Sequence, residues 1–183
     1  MIGDKKQKGF TFVEMLITAV VFSIIFGTAM TVLASAAKIQ KYNLSQQQLL
    51  DQSSYAIEYM ARALRMAKQG GSAACTGGTN YNITTDSNRI DFVNYKGVCQ
   101  HFLWDSTSGQ IKVGGGDFSS DTPLTSSRYT INNLTFTKNG DSLGDTLQPR
   151  VTIFMEMQDN RLPQNKPIIK LQTTVSQRNL DKK

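Results

Sequence analysis

Gly9-Phe10-Thr11-Phe12-Val13-Glu14, followed by the run Met15–Ala37, is the stretch on which the reading of this chain turns. The run contains no charged residue and no proline, and its one glycine is Gly27. As a helix it would be about 35 Å long at about 1.5 Å per residue. The hydrocarbon core of a bilayer is about 30 Å thick, so the run is long enough to cross it. On its N-terminal side lie Lys5, Lys6 and Lys8 against the single Asp4. Basic flanks stay on the cytoplasmic side, so the segment predicts one membrane pass with residues 1–9 inside.

An apolar run of this kind has three possible fates. Ala34-Ser35-Ala36 has the small-x-small pattern of a signal-peptide site, which would release a secreted protein. A signal-peptide core is about 7–15 residues long, and this run is longer. The second fate is a plain uncleaved anchor carrying a binding domain or adhesin that never polymerises. Neither accounts for Glu14. An ionisable group at the membrane costs free energy, about 2.5–3.5 kcal/mol at the bilayer centre and less near its edge. Its presence points to a function and to a partner.

Lys8-Gly9-Phe10-Thr11-Phe12-Val13-Glu14 ahead of a long apolar run resembles the processing signal of type IV pilins and type II secretion pseudopilins. The resemblance implies a third fate. A prepilin peptidase cuts after Gly9 and methylates the new N-terminus at Phe10. The apolar helix is kept and becomes the packing core of a filament, with Glu14 guiding subunit docking. Cleavage would expose an α-amine at Phe10 with an ordinary pKa of about 8. That amine is a natural positive partner for a carboxylate in low dielectric, because pairing offsets part of the desolvation cost. The partners implied are the peptidase, other pilin or pseudopilin subunits, the inner-membrane assembly platform and, before assembly, lipid. The Tyr55–Met66 stretch resembles minor subunits of such filaments. Many members of the family carry a proline within the apolar segment; here the first proline is Pro123, and Gly27 is the one weak point in the helix.

From Lys38 the chain turns polar, but no helix breaker appears before Gly70-Gly71. Ile39, Tyr42, Gln46, Leu49, Ser53, Ala56, Met60, Ala63 and Ala67 recur at spacings of three and four, with Leu50, Ile57 and Leu64 widening the stripe. That is the period of a helix with one apolar face. Glu58 and Arg62 form a favourable i,i+4 pair. The expectation is a helix running from about Thr11 to Gln69, stopped by the two glycines.

Gly70–Thr85 and Gly114–Ser127 read as loops. Between and after them, Ile90/Phe92, Val98–Trp104, Ile111/Val113, Tyr129–Phe136, Val151–Met157 and Ile169–Val175 alternate as strands. Lys96-Gly97 suits a turn, and Asn132-Asn133 breaks the alternation as a bulge does. The fold class expected is therefore α+β: a long helix, half transmembrane and half amphipathic, packed on an antiparallel meander, as in pilins. The division follows as leader 1–9, transmembrane and assembly helix 10–37, amphipathic continuation 38–69 and exported head 70–183.

The head holds Cys75 and Cys99. An even count in an exported domain suggests a disulfide, the alternative being two unpaired thiols. Two cysteines and His101 are too few for a familiar metal site, and His101 reads as a half-buried structural residue. Asn139–Asp145 carries oxygen ligands but no glutamate at EF-hand spacing, so an ordinary turn is expected there and no metal. Neither a phosphate loop nor a catalytic triad nor a supported carboxylate pair is present, so the sequence assigns no catalytic residue and no cofactor. The net charge of +6 permits weak attraction to nucleic acid, but no basic patch with interleaved aromatics supports it.

Overall fold

The computed structural model describes residues 9–69, 73–115, 121–141, 147–162 and 165–178. The elements run α1 (Phe12–Arg65), α2 (Ala73–Thr76), β1 (Tyr81–Ile83), β2 (Arg89–Val93), β3 (Cys99–Asp105), β4 (Gln110–Gly115), β5 (Thr122–Pro123), β6 (Tyr129–Asn139), β7 (Arg150–Asp159) and β8 (Ile168–Ser176). The chain forms two compact units, Met1–Asn43 and Leu44–Lys183.

In the first unit the described chain is α1 and its approach. Every residue from Gly9 to Lys41 is exposed. The hydroxyls of the apolar run do not face outward unpaired. Thr18, Ser23, Thr28, Thr31 and Ser35 each donate to a carbonyl three or four residues back, at 2.7–2.9 Å. Such back-bonding satisfies a hydroxyl within its own helix. The run is therefore more apolar in effect than its composition suggests. It is long and apolar enough to cross a membrane.

In the second unit, Ser45, Leu49, Ser53, Ala56, Met60 and Leu64 of α1 are buried. Their spacing of three and four is the predicted stripe, with Ser45 in the place expected for Gln46. Leu49, Ala56, Met60 and Leu64 join a core with Ile90, Phe92, Phe102, Ile111, Ile131, Leu134, Phe136, Val151, Ile153, Met155 and Met157. Phe92 and Phe102 stack at 5.4 Å, and Tyr59 meets Phe102 edge-on at 6.1 Å.

All strand pairs are antiparallel. The single meander expected from the sequence is divided into a five-stranded sheet, β1-β2-β3-β4-β5, and a three-stranded sheet, β6-β7-β8. The inner edge of β6 bonds to turns of the first sheet instead of to a strand, through Ile131 N to Gly109 O at 2.8 Å and Phe136 N to Ser87 O at 2.9 Å. The expected bulge is present, as a register shift between Ile131 and Asn133.

Four elements depart from expectation: α1 ends early, α2 and β1 fall within the predicted loop 70–85, and β5 falls within the predicted loop 114–127. The helix stops at Arg65 rather than Gln69 because its last carbonyls are taken by distant groups. Tyr81 Oη donates to Leu64 O at 2.8 Å, Arg178 N to Arg65 O at 2.8 Å and Gln177 Nε2 to Ala67 O at 3.0 Å. Lys68 then bridges to Val93. Gly70 and Gly71 lie outside the described residues. Strand β1 falls within the predicted loop 70–85. It is fixed by Asp141, whose Oδ1 accepts from Asn80 N at 3.0 Å and Tyr81 N at 3.2 Å, while Lys138 Nζ donates to Asp141 Oδ2 and to Tyr81 O, both at 2.7 Å. Burial, and then the Asp141 charge, push the Tyr81 hydroxyl well above the usual phenol range, so it stays a neutral donor.

Cys75 of α2 and Cys99 of β3 form a disulfide across a sequence separation of 24. In the chain-entropy picture a loop of that size stabilises by about 3 kcal/mol. Serine at both positions is expected to lower the unfolding free energy of the detergent-solubilised chain by about that amount. Equal urea midpoints for variant and parent would show that the bridge contributes nothing. His101 is fully buried rather than half-buried, with Nε2 2.9 Å from Asp121 Oδ1. A Cβ at residue 114 would lie 2.1 Å from that Asp121 oxygen and 2.3 Å from the His101 ring, so the contact needs Gly114 beneath it.

The end of β7 holds α1 in place through Asp159, which is fully buried. Ser45 Oγ donates to its Oδ2 at 2.5 Å, and Arg161 donates from Nε and Nη2 at 2.6–3.1 Å. Arg161 Nη1 also reaches Gln48 Oε1 at 2.6 Å, with the guanidinium over the Tyr129 ring at 5.8 Å.

Candidate assembly segment at the N-terminus

The segment is built around the start of α1. Thr11 sits outside the helix and caps it. Its Oγ1 accepts from Glu14 N at 3.3 Å, and its carbonyl accepts from Met15 N at 3.2 Å. Thr11 is thus the N-cap and Glu14 the third helical residue, the positions of a capping box. A carboxylate in the first turn also faces the positive end of the helix dipole. Glu14 therefore has a local reason to be where it is. The Thr-x-x-Glu spacing ahead of an apolar run carried that signal in the sequence, and the role of Thr11 was missed there.

Local capping does not use the whole carboxylate. Glu14 is exposed, and among the described residues its side chain has no hydrogen-bond or ion-pair partner. Gly9 and Phe10 precede the cap and are exposed. A Cβ added at Gly9 would meet no atom within 4 Å. Nothing in the described chain requires glycine there, and its φ does not fall in the left-handed region. The same is true of the space around Gly27.

Of the residues singled out by sequence, Gly9, Phe10 and Glu14 lie together within one helical turn of the N-cap. Cys75 and Cys99 are joined in the second unit and belong to its scaffold. Among the described residues no group of three His, Cys, Asp or Glu side chains converges to hold a metal ion. The latter part of the Asn139–Asp145 turn lies outside the described residues. Asp105, a carboxylate with several donors at the β3–β4 turn, is held well below its usual range by bonds from Lys112, Ser108 and Thr107, which makes it a turn anchor.

Comparison with curated proteins returns no match, and comparison with solved structures returns none either. A family model, the prokaryotic N-terminal methylation motif, matches residues 4–30. The match spans Gly9, Phe10, Thr11 and Glu14 together with most of the exposed apolar helix, and it fits a membrane-anchored protein. Residues 4–30 carry the signature of type IV pilins and pseudopilins, and the fold is α+β, with the later part of α1 packed on antiparallel sheet in a pilin-like arrangement.

Proposed function

We propose that the chain is a structural subunit, a minor pilin or pseudopilin, of a type IV pilus or type II secretion-like filament. Residues 1–9 are a cytoplasmic leader removed by prepilin peptidase after Gly9. Phe10 becomes the N-methylated end. Residues 10–37 cross the inner membrane until assembly and afterwards pack against other subunits, while the head lies outside the cytoplasm. The assembly platform and the neighbouring subunits are its partners.

The observation that carries this reading is the junction itself. A motif for N-terminal methylation ends in a capped helix whose apolar surface is exposed on all sides, with a lone carboxylate in its first turn. Exposed apolar surface on this scale needs lipid or protein to cover it. The glycine without an internal role supports recognition by a peptidase. The N-terminal methylation motif itself favours a structural subunit over an enzyme.

Mass spectrometry of the mature protein from membranes is the direct test. The expected N-terminus is N-methylated Phe10. A chain beginning at Ala37 would make this a secreted protein, and one beginning at Met1 a plain anchor; either result overturns the reading.

A further inference from the structure

Four sheet edges exist among the described strands; two belong to very short strands and one is bonded to turns. In the five-stranded sheet β1 has three residues, and β5 has two and ends at Pro123. The inner edge of β6 is bonded to Gly109 and Ser87. Strand β8 is different. It is nine residues long, has no proline, keeps unbroken register with β7 and makes no backbone bond on its outer side among the described residues. Long flat edges are templates for another strand, and natural monomers usually blunt them with charge, proline or a bulge. The one charge on β8, Lys170, is 3.0 Å from Glu156 of β7. On the core face Ile169 and Leu171 pack against the core but remain partly uncovered.

We propose that the outer edge of β8 pairs with β8 of a second copy of this chain, antiparallel about Gln172. The sequence of the strand fits itself in that register. Ile169 lies opposite Val175 and Leu171 opposite Thr173, all on the core face, where they cover the open flank. On the outer face Lys170 lies opposite Thr174, and Gln172 meets its own copy, where two amides can exchange hydrogen bonds. This register pairs all nine residues and keeps the two lysines apart. Parallel in-register pairing would set Lys170 beside Lys170, and like charges directly opposite destabilise a sheet. The two three-stranded sheets become one six-stranded sheet. The pairing is separate from assembly through α1 and does not require cleavage at Gly9, so the uncut chain in detergent serves as the test material.

Two measurements examine it. Gln172→Cys places two thiols on the dyad, and oxidation of the uncut chain in detergent is expected to give a disulfide-linked dimer of this chain; Lys170→Cys, off the dyad, is expected not to. Thr174→Glu and Thr174→Lys both remove the Thr152–Thr174 hydroxyl contact, so they differ only in charge. Each dimer has two 170–174 pairs. Sedimentation is expected to show the glutamate variant dimerising about tenfold more tightly than the lysine variant, given the few-fold effect of each cross-strand charge pair. The proposal is overturned if Gln172→Cys stays monomeric, if it links to a protein of another mass, or if the two Thr174 variants have equal dimer affinity.

Discussion

Glu14→Gln is expected to yield a processed, membrane-inserted and helical subunit that does not enter filaments. The substitution separates the two roles the structure allows for this residue. Glutamine serves the third position of a capping box as glutamate does, so the start of α1 survives. The negative charge does not. If the carboxylate meets the Phe10 amine of a neighbouring subunit in a water-poor interface, deleting it leaves that ammonium buried and unpaired. Breaking a buried pair in this way costs about 3–5 kcal/mol. A hundredfold or larger fall in incorporation follows, since about 1.4 kcal/mol is a factor of ten. Glu14→Ala should behave the same in assembly and add some fraying of the first turn. Quantifying the variant in sheared filaments against the membrane pool decides the matter. Incorporation of Glu14→Gln at the parental level, with Glu14→Ala impaired, would make Glu14 a capping residue only.

Asp159→Ala is expected to cost the head about 1.5–3 kcal/mol, the loss of hydrogen bonds to a buried carboxylate, since the Arg161 left behind is a third exposed and stays solvated. Ser45, Arg161 and Gln48 lose their common anchor, and α1 loses its polar tie to β7. The same residue predicts an acid response. Burial pushes the Asp159 carboxyl up, but the bonds from Arg161 and Ser45 outweigh it and bring it down from 3.8 to about 2. A carboxyl lowered on folding stabilises the folded state above its unfolded pKa, and that contribution fades as pH falls through the folded value. The Asp159 contribution is therefore complete above about pH 4 and disappears toward pH 2. Urea unfolding of the detergent-solubilised chain at a series of pH values should show the parent losing stability over that window. Asp159→Asn should show a shallower loss, because its part is already gone. Parallel pH profiles for the two proteins would remove Asp159 from the explanation.

The sequence was most legible where the physics is local or periodic. The stripe through Leu49, Ser53, Ala56, Met60 and Leu64 announced the buried face of α1 by spacing alone. The paired asparagines 132 and 133 marked the bulge, and the alternation in 151–157 and 169–175 marked two strands. What escaped was held by partners far along the chain. Tyr81 forms a strand because Asp141 binds its backbone sixty residues later. The helix ends at Arg65, where Tyr81 and Arg178 donate to the Leu64 and Arg65 carbonyls from far along the chain. Asp159 gave no sign of itself, since a single aspartate at the end of an alternating strand looks like any solvated turn residue. In the N-terminal segment the reverse held. Gly9, Phe10 and Glu14 were conspicuous as a local motif, while Thr11 was overlooked although its Thr-x-x-Glu spacing was in plain view.

The hydroxyls of the apolar helix carry a further consequence. Thr18, Ser23, Thr28, Thr31 and Ser35 have each committed their proton to a carbonyl of the same helix. They ask for no donor or acceptor from outside. A helix built this way makes the same demands on acyl chains as on the side chains of other helices. Moving it from one to the other breaks no polar bond along its length, so the traffic is reversible in principle and is not steered by the middle of the helix. In the proposed assembly, direction and address would then come from the end that makes a polar demand, at Glu14.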